Sequence, residues 1–509
     1  MRDYPTAPLP RGGRRKLPRK LSGAFSTLSA AVPVVLLLGS VAAGASAQEE
    51  GELSGAKALA LQEATALESE IRDMAMELWK FSETALHESR SAALLSSILE
   101  EEGFRVEREV AGMPTAFVAE WGSGRPIVGV LAEYDALPGI GNEPVPYREA
   151  RKDGHADGQG CGHNLFGAAS VASAIALKRV LEREKIPGTI RLYETPAEET
   201  VVGKVYMARD GVFDDLDAAL EWHPGQETEV DNNPGLAMNN FQVEFFGQSA
   251  HGAADPWNGR SALDGVELMD DGVNLMREHI RPTTRIHYVI PNAGEAPNVV
   301  PAYAKAWYYV RDTARASVEF YYDWILDIAA GAAMGTRTKH KVHLITGVHA
   351  YNLNRPLQEA MYANLRYVGP PDFTQEDQNF ARKLQAFLDV DTTGLSTTIK
   401  PLADHPLPPS GGSTDVAEVS WITPTAGLRV TTAAQHIPWH SWATAAEHGT
   451  PAGVRGAWVA AKVLAMTGAD LFTNPDLLER AHDAFLEKTG GKPYESPIPA
   501  DQPPPLPGR

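Results

Sequence analysis

Apolar residues recur at three- and four-residue intervals over about 56–102, as in Leu67, Ile71, Met74 and Leu78, a spacing that predicts helices with one buried face. The pattern then changes. Ile127-Val128-Gly129-Val130-Leu131 is a continuous apolar run, as a strand buried on both faces requires, and it stops at Glu133-Tyr134-Asp135. A glycine-rich loop, GHADGQGCGHN, leads into a predicted helix over about 165–184. A strand TIRLYE then ends at Thr195-Pro196-Ala197-Glu198-Glu199, and a strand AALEW ends at His223. From about 236 to 347 the order becomes strand, helix, strand, strand, helix, strand, the split unit of a small ferredoxin-like domain. Helices return at about 355–390 and 451–466, separated by the loop PPSGGSTDVAEVSW and a strand near 426–431. The alternation predicts an α/β fold with a smaller α+β unit inserted in it.

At 509 residues the chain exceeds the roughly 250–300 at which single cores stop growing, so two domains are expected. The N-terminus departs from the globular pattern: Arg11, Arg14, Arg15, Lys16, Arg19 and Lys20 precede the apolar AAVPVVLLLGSVAAGASA, which closes on Ala45-Ser46-Ala47. This reads as a signal peptide over 1–47 and hence as a secreted or periplasmic protein; an uncleaved anchor helix competes, weakened by Pro33. Beyond it no apolar run approaches the roughly 20 residues of a bilayer span, so no stable membrane insertion is expected after signal removal. That removal takes away seven basic side chains and one acidic one, moving the formal charge from −19 to −25. So acidic a surface repels nucleic acid, and no such partner is expected. The closing ESPIPADQPPPLPGR predicts a disordered Pro-rich tail over 491–509. A single cysteine, Cys161, excludes an intramolecular disulfide and must be either buried or used.

Four short strings carry candidate chemistry. In Cys161-Gly162-His163-Asn164 a thiolate and an imidazole stand two residues apart after Gly154, Gly158 and Gly160, and both donors suit zinc or a similar divalent ion. A buried free cysteine beside an incidental histidine is the bland alternative. Pro196-Ala197-Glu198-Glu199 puts two carboxylates at a strand end, where successive side chains diverge, so that one can ligate while the other moves a proton; a solvated acidic turn is the alternative. His223 and His440 extend the set, although a lone histidine is more often a surface or core residue. Eleven of the fifteen histidines are read as bystanders, His436 least securely. Most of the candidates follow the carboxyl ends of predicted strands, where open α/β sheets bind ligands.

In their order along the chain, CGHNLFGAAS, TPAEE, WHPG, SAHGAADPWNGRSALDGVELM, PNVVP, GGSTDVAEVSW and HSW resemble the metallopeptidase family of aminoacylases, glutamate carboxypeptidases and hippurate hydrolases. The likeness is nearest to the p-aminobenzoyl-glutamate hydrolase branch and spans about 60–480. It implies a two-metal, zinc-peptidase-like α/β catalytic domain over 48–235 and 351–490, interrupted by a ferredoxin-like lid and dimerisation domain over 236–350. It further implies that Cys161, His163, Glu199, His223 and His440 hold two divalent ions, zinc or manganese, and that Glu198 is the general base. His251 matches a histidine that in dimeric relatives reaches the partner's site and steadies the oxyanion, and Asn298 a position near the substrate carboxylate, so a homodimer is expected. A turn cap and a turn initiator are the bland readings of these two. Two departures, Asn164 in place of an acidic residue and Gly412-Ser413-Thr414-Asp415 in place of Gly-Ser-Glu-Asp, leave the ligand set intact. Glu133 stands where some relatives have a histidine and is assigned no metal; Asp135 is read as orienting a ligand.

The resulting expectation is hydrolysis of a small-molecule amide, an N-acyl or N-aroyl amino acid resembling p-aminobenzoyl-glutamate. An extracytoplasmic dipeptidase or carboxypeptidase would share the fold and metals. A non-catalytic binding protein would show gaps in the ligand set, and none is visible.

Overall fold

The computed structural model describes Leu53 and residues 55–507; the signal segment read over 1–47 lies outside them. Among the described residues eleven strands follow in chain order: β1 (Arg105–Arg108), β2 (Phe117–Ser123), β3 (Ile127–Ala132), β4 (Gly188–Glu194), β5 (Ala218–Gly225), β6 (Glu229–Val230), β7 (Ala237–Phe246), β8 (Arg285–Asn292), β9 (Tyr303–Asp312), β10 (Lys339–Val348) and β11 (Thr425–Thr431). Seven of them form one sheet in the order β1-β2-β4-β3-β5-β11-β6. Its centre, β4-β3-β5-β11, is parallel, and antiparallel partners close both edges.

A parallel centre must be covered on both faces. On β4, Ile190 and Leu192 point into a core shared with the helices Gly55–Ala66, His163–Glu184 and Pro451–Thr473. Tyr193, one residue on, points the opposite way, into a core shared with the helix Gly203–Arg209 and Phe213. Fully burying side chains of this size contributes roughly 1.5–3 kcal/mol each. The helix His163–Glu184 is long and apolar enough to cross a bilayer, yet most of it is buried in this core, which accounts for its composition.

The remaining four strands form a separate antiparallel sheet, β10-β7-β9-β8. Alternate residues Phe241, Val243 and Phe245 on β7, and Ala304, Ala306, Tyr308 and Val310 on β9, face the helices Ala262–Met276 and Arg315–Thr336. The chain thus enters the second sheet after β6 and leaves it after β10, to complete the first sheet with β11.

The C-terminal segment corrects a sequence expectation. Instead of a disordered tail, the stretch reaching residue 507 lies against the protein, with Ile498 buried in the second core. The Gln502 amide donates to the Tyr206 hydroxyl at 2.7 Å and to the carbonyls of Leu344 and Ile345, and Tyr494 Oη donates to Glu418. Proline removes backbone donors that would otherwise need partners, so such a segment can pack as a strap without secondary structure, provided a few side chains anchor it. Composition counts the prolines but not the anchors. Ile498→Ala is expected to destabilise the protein by about 2–4 kcal/mol and Gln502→Ala by about 1 kcal/mol, read as lowered thermal midpoints; midpoints unchanged in both would restore the unpacked tail.

Candidate metal centre

Strand β3 lies between β4 and β5, so the chain leaves it in one direction and returns on the other side, which opens a crevice at the carboxyl ends of the parallel strands. Glu133 and Asp135 follow β3, Glu198 and Glu199 form a single 3₁₀ turn after β4, and His223 projects from β5 itself. Cys161 and His163 flank the start of the helix His163–Glu184. Gly162 between them has φ +86°, and a Cβ there would meet Pro224 and His448 at 2.9 Å, so only glycine brings thiol and imidazole to the same side. His440 comes from the loop after β11. Ala197 (φ 59°), Val201 (φ 58°) and His440 (φ 55°) all adopt the left-handed region that L-residues avoid, a concentration of backbone strain beside the candidate ligands.

Two groups of possible metal ligands result, Cys161–His163–His223 and Cys161–Glu199–His440, and they share the thiol. Cys161 Sγ lies 3.4 Å from His223 Nε2 and 3.4 Å from His440 Nε2, which is itself 3.5 Å from Glu199 Oε2. The tautomers suit ligation. His163 Nδ1 donates to Asp135, whose Oδ1 is at 3.0 Å, and His223 Nδ1 donates to the Pro224 carbonyl at 2.6 Å, which makes Nε2 of each ring the atom available to a metal. Asp135 also accepts the Glu199 backbone N–H at 2.9 Å and so positions two candidate ligands at once.

A third group, Glu133–His163–Glu198, borders the first. Glu133 Oε2 stands 3.1 Å from His163 Nε2, yet neither atom makes a hydrogen bond, and Glu199 Oε1 is equally without a partner. Buried polar atoms without partners are costly. A thiol, imidazoles and carboxylates converging with such orphan atoms fit divalent cations.

Electrostatics point the same way. Burial, with Glu199 adding, pushes the Cys161 thiol up to about 12. Burial also raises Glu199 to about 8, and raises Glu198 well above the carboxylate range with help from Glu133 and Asp415. Burial followed by the Arg429 charge holds His223 well below its ordinary value, and burial followed by His163 lowers His440.

Several participants escaped the sequence reading. Lys204, fully buried, donates to Glu133 Oε1 at 2.6 Å and to Asp415 Oδ1 at 2.7 Å, tying the base of the crevice together; a lysine inside the apolar run VVGKVYMA was its signal. Glu88 accepts from Thr115 Oγ1 and from the Ala197 N–H, pinning the strained residue before Glu198; nothing near it in the chain marks it. Asn164 ties the loop down by donating to the Ala75 and His448 carbonyls. His251 and Asn298 lie together and exposed beside the second sheet, where the Gly252 N–H donates to the Asn298 carbonyl at 2.8 Å. Among the described residues no hydrogen bond or ion pair links either side chain to the crevice.

Without metal, burial raises Cys161 and Glu199, and His163 is raised against its burial by Cys161 and Glu133, so metal loading is expected to release up to three protons and to tighten as pH rises. Titrating zinc into weakly buffered protein reads this directly, and uptake without acidification would contradict it; Cys161→Ala should take up little metal. Lys204→Met leaves Glu133 and Asp415 unpaired and is expected to cost about 3–5 kcal/mol, read by thermal denaturation.

Comparison with known proteins gives this arrangement a context. Residues 129–499 match the profile of Peptidase family M20/M25/M40. The chain is similar to a p-aminobenzoyl-glutamate hydrolase chain of Escherichia coli (strain K12), 37% identical over 455 residues that cover 84% of this chain and 94% of that one. It is also similar to the Xaa-Arg dipeptidase of Homo sapiens, 29% identical, covering 81% of this chain and 87% of that one. Among solved structures, a dinuclear metal binding peptidase of the M20 family from Bacillus subtilis, YXEP, superposes with a TM-score of 0.51 at 18% identity, covering 78% of this chain and 99% of that one.

Proposed function

The chain belongs to peptidase family M20/M25/M40 and is a metal-binding hydrolase of C–N amide bonds; from that premise we propose that it cleaves N-acyl or N-aroyl amino acids of the p-aminobenzoyl-glutamate kind, with Glu198 as general base. The observation that carries the reading is the pair of ligand groups sharing Cys161, with Glu198 beside them.

In this proposal Cys161, His163, Glu199, His223 and His440 would hold two divalent ions. The count has its parallel in the dinuclear Bacillus relative, and the sulfur and imidazole donors favour zinc over manganese. Such ions supply Lewis-acid polarisation of the amide carbonyl and acidify water. Glu198 does the proton work. Its Oε2 lies 3.8 Å from His163 Nε2, and its neighbour Glu199 is the carboxylate that stands against His440. It takes a proton from the attacking water and delivers it to the departing amine nitrogen, a transfer that requires a carboxylate not committed as a ligand.

His251 belongs to the same proposal as a residue supplied to the partner's site in a homodimer built through residues 236–350. Its Nδ1 accepts the backbone N–H groups of Ala253 and Ala254, at 3.2 and 3.1 Å, which makes Nε2 the protonated nitrogen and so a donor suited to an oxyanion. Asn298, held against Gly252, would meet the substrate carboxylate from the same side. The Ala45-Ser46-Ala47 signal pattern supports action outside the cytoplasm. A dipeptidase reading is favoured by one observation, the similarity to the human Xaa-Arg dipeptidase, and differs only in substrate.

Glu198→Gln is expected to keep its metal, by elemental analysis, while kcat on p-aminobenzoyl-glutamate falls by about 10²–10⁴. Activity within tenfold of the wild type would rule out Glu198 as base. Chelation should abolish turnover, and zinc should restore it.

A further inference from the structure

Strand pairing places a guanidinium next to the metal ligands. Arg429 on β11 pairs in parallel register with His223 on β5, and residues paired across neighbouring strands carry their side chains on one face. On its other side Arg429 pairs with Glu229 of β6. Its Nε donates to Asp231 Oδ1 at 2.7 Å, and Asp231 is itself largely buried, so the guanidinium is held by an anchored carboxylate. Among the described residues no acceptor takes the hydrogens of Nη1 or Nη2. Even so, 47% of the side chain is open to solvent.

The surroundings narrow what that free edge is for. Two residues earlier on the same face Gly427 has no side chain, and the Glu221 carboxylate fills the place where a Cβ would stand. Asp231 takes one edge of the guanidinium, and the charge of Arg429 turns away a cationic ligand group and suits an anionic one. The protein as a whole is also strongly acidic, with a formal charge of −19. An anionic substrate approaching it is repelled unless a fixed cation receives it beside the reacting bond. A guanidinium oriented through Nε presents Nη1 and Nη2 as the planar fork that fits a carboxylate.

We propose that Arg429 is a specificity-determining residue whose Nη edge receives a carboxylate of the substrate next to the metal centre, selecting acidic over uncharged amides. The proposal rests on the amide-hydrolase reading given above and deepens it. The wild type should prefer p-aminobenzoyl-glutamate to its diamide, in which both carboxylates are carboxamides. Arg429→Met should lower kcat/KM on the acid about 100-fold, mainly through KM, and change that on the diamide less than about threefold. Arg429→Lys, which restores the charge without the fork, should recover part of the loss.

Binding separates this proposal from the reading beneath it. In the Glu198→Gln background, where turnover is slowed, calorimetry with p-aminobenzoyl-glutamate should show a Kd weakened about 100-fold by adding Arg429→Met, at unchanged metal content. Equal or absent binding in the two proteins overturns the role of Arg429, as does loss of metal from the double variant, which would make the residue structural. Failure of the wild type to turn over any amide would instead overturn the amide-hydrolase reading and leave the binding comparison to decide the role of Arg429.

Discussion

Negative charge without enough positive charge to balance it is the constraint around which this protein is arranged. Glu88, Glu133, Asp135, Glu194, Glu198, Glu199 and Asp415 are gathered at the carboxyl ends of β3 and β4, most of them fully enclosed, and Lys204 is the buried lysine that answers them. Burying ionised carboxylates in such density is prohibitive unless they hold protons or face cations. Both remedies are visible. Glu88 is raised to about 8 by burial and the nearby Asp135, while Glu133 keeps an unpaired oxygen 3.1 Å from His163 Nε2 and Glu199 keeps an unpaired Oε1. The crevice is thus built for divalent ions, and the fold around it serves to hold like charges together.

Holding them takes strain and fixed tautomers. The left-handed conformations of Ala197, Val201 and His440 persist because neighbouring contacts overdetermine them, Glu88 on Ala197 and the Thr346 hydroxyl on the Val201 carbonyl being two of these. Asp135 links His163 to the Glu199 backbone, so a candidate ligand from the helix N-terminus and one from the turn after β4 are held together. Arg429 extends the same economy to the crevice wall, where one carboxylate anchors the guanidinium and leaves its fork free.

Much of this was legible in the residues. The continuous apolar run at 127–131 meant a strand covered on both faces, and the switch to β-α-β-β-α-β order after 236 marks the second sheet; both patterns are local, because strand burial and helix amphipathicity are written at periods of two and 3.6. The strings around Cys161, Glu198, His223 and His440 supplied candidate donors, and the structure brings these side chains to one crevice. The strap over 492–507 was illegible, since proline content speaks of backbone donors and not of where Gln502 and Ile498 find partners.

The sequence by itself determined the donor types, the adjacent carboxylates, the alternation that builds a parallel sheet, and the family. Only the tertiary structure decided that Cys161 stands between two ligand groups, that Lys204 joins Glu133, 71 residues before it, to Asp415, 211 residues after it, and that Arg429 stands beside His223. The reason is physical. Donor chemistry belongs to a single side chain and can be read one residue at a time, whereas charge balance, burial and strand register are properties of pairs that folding alone brings together.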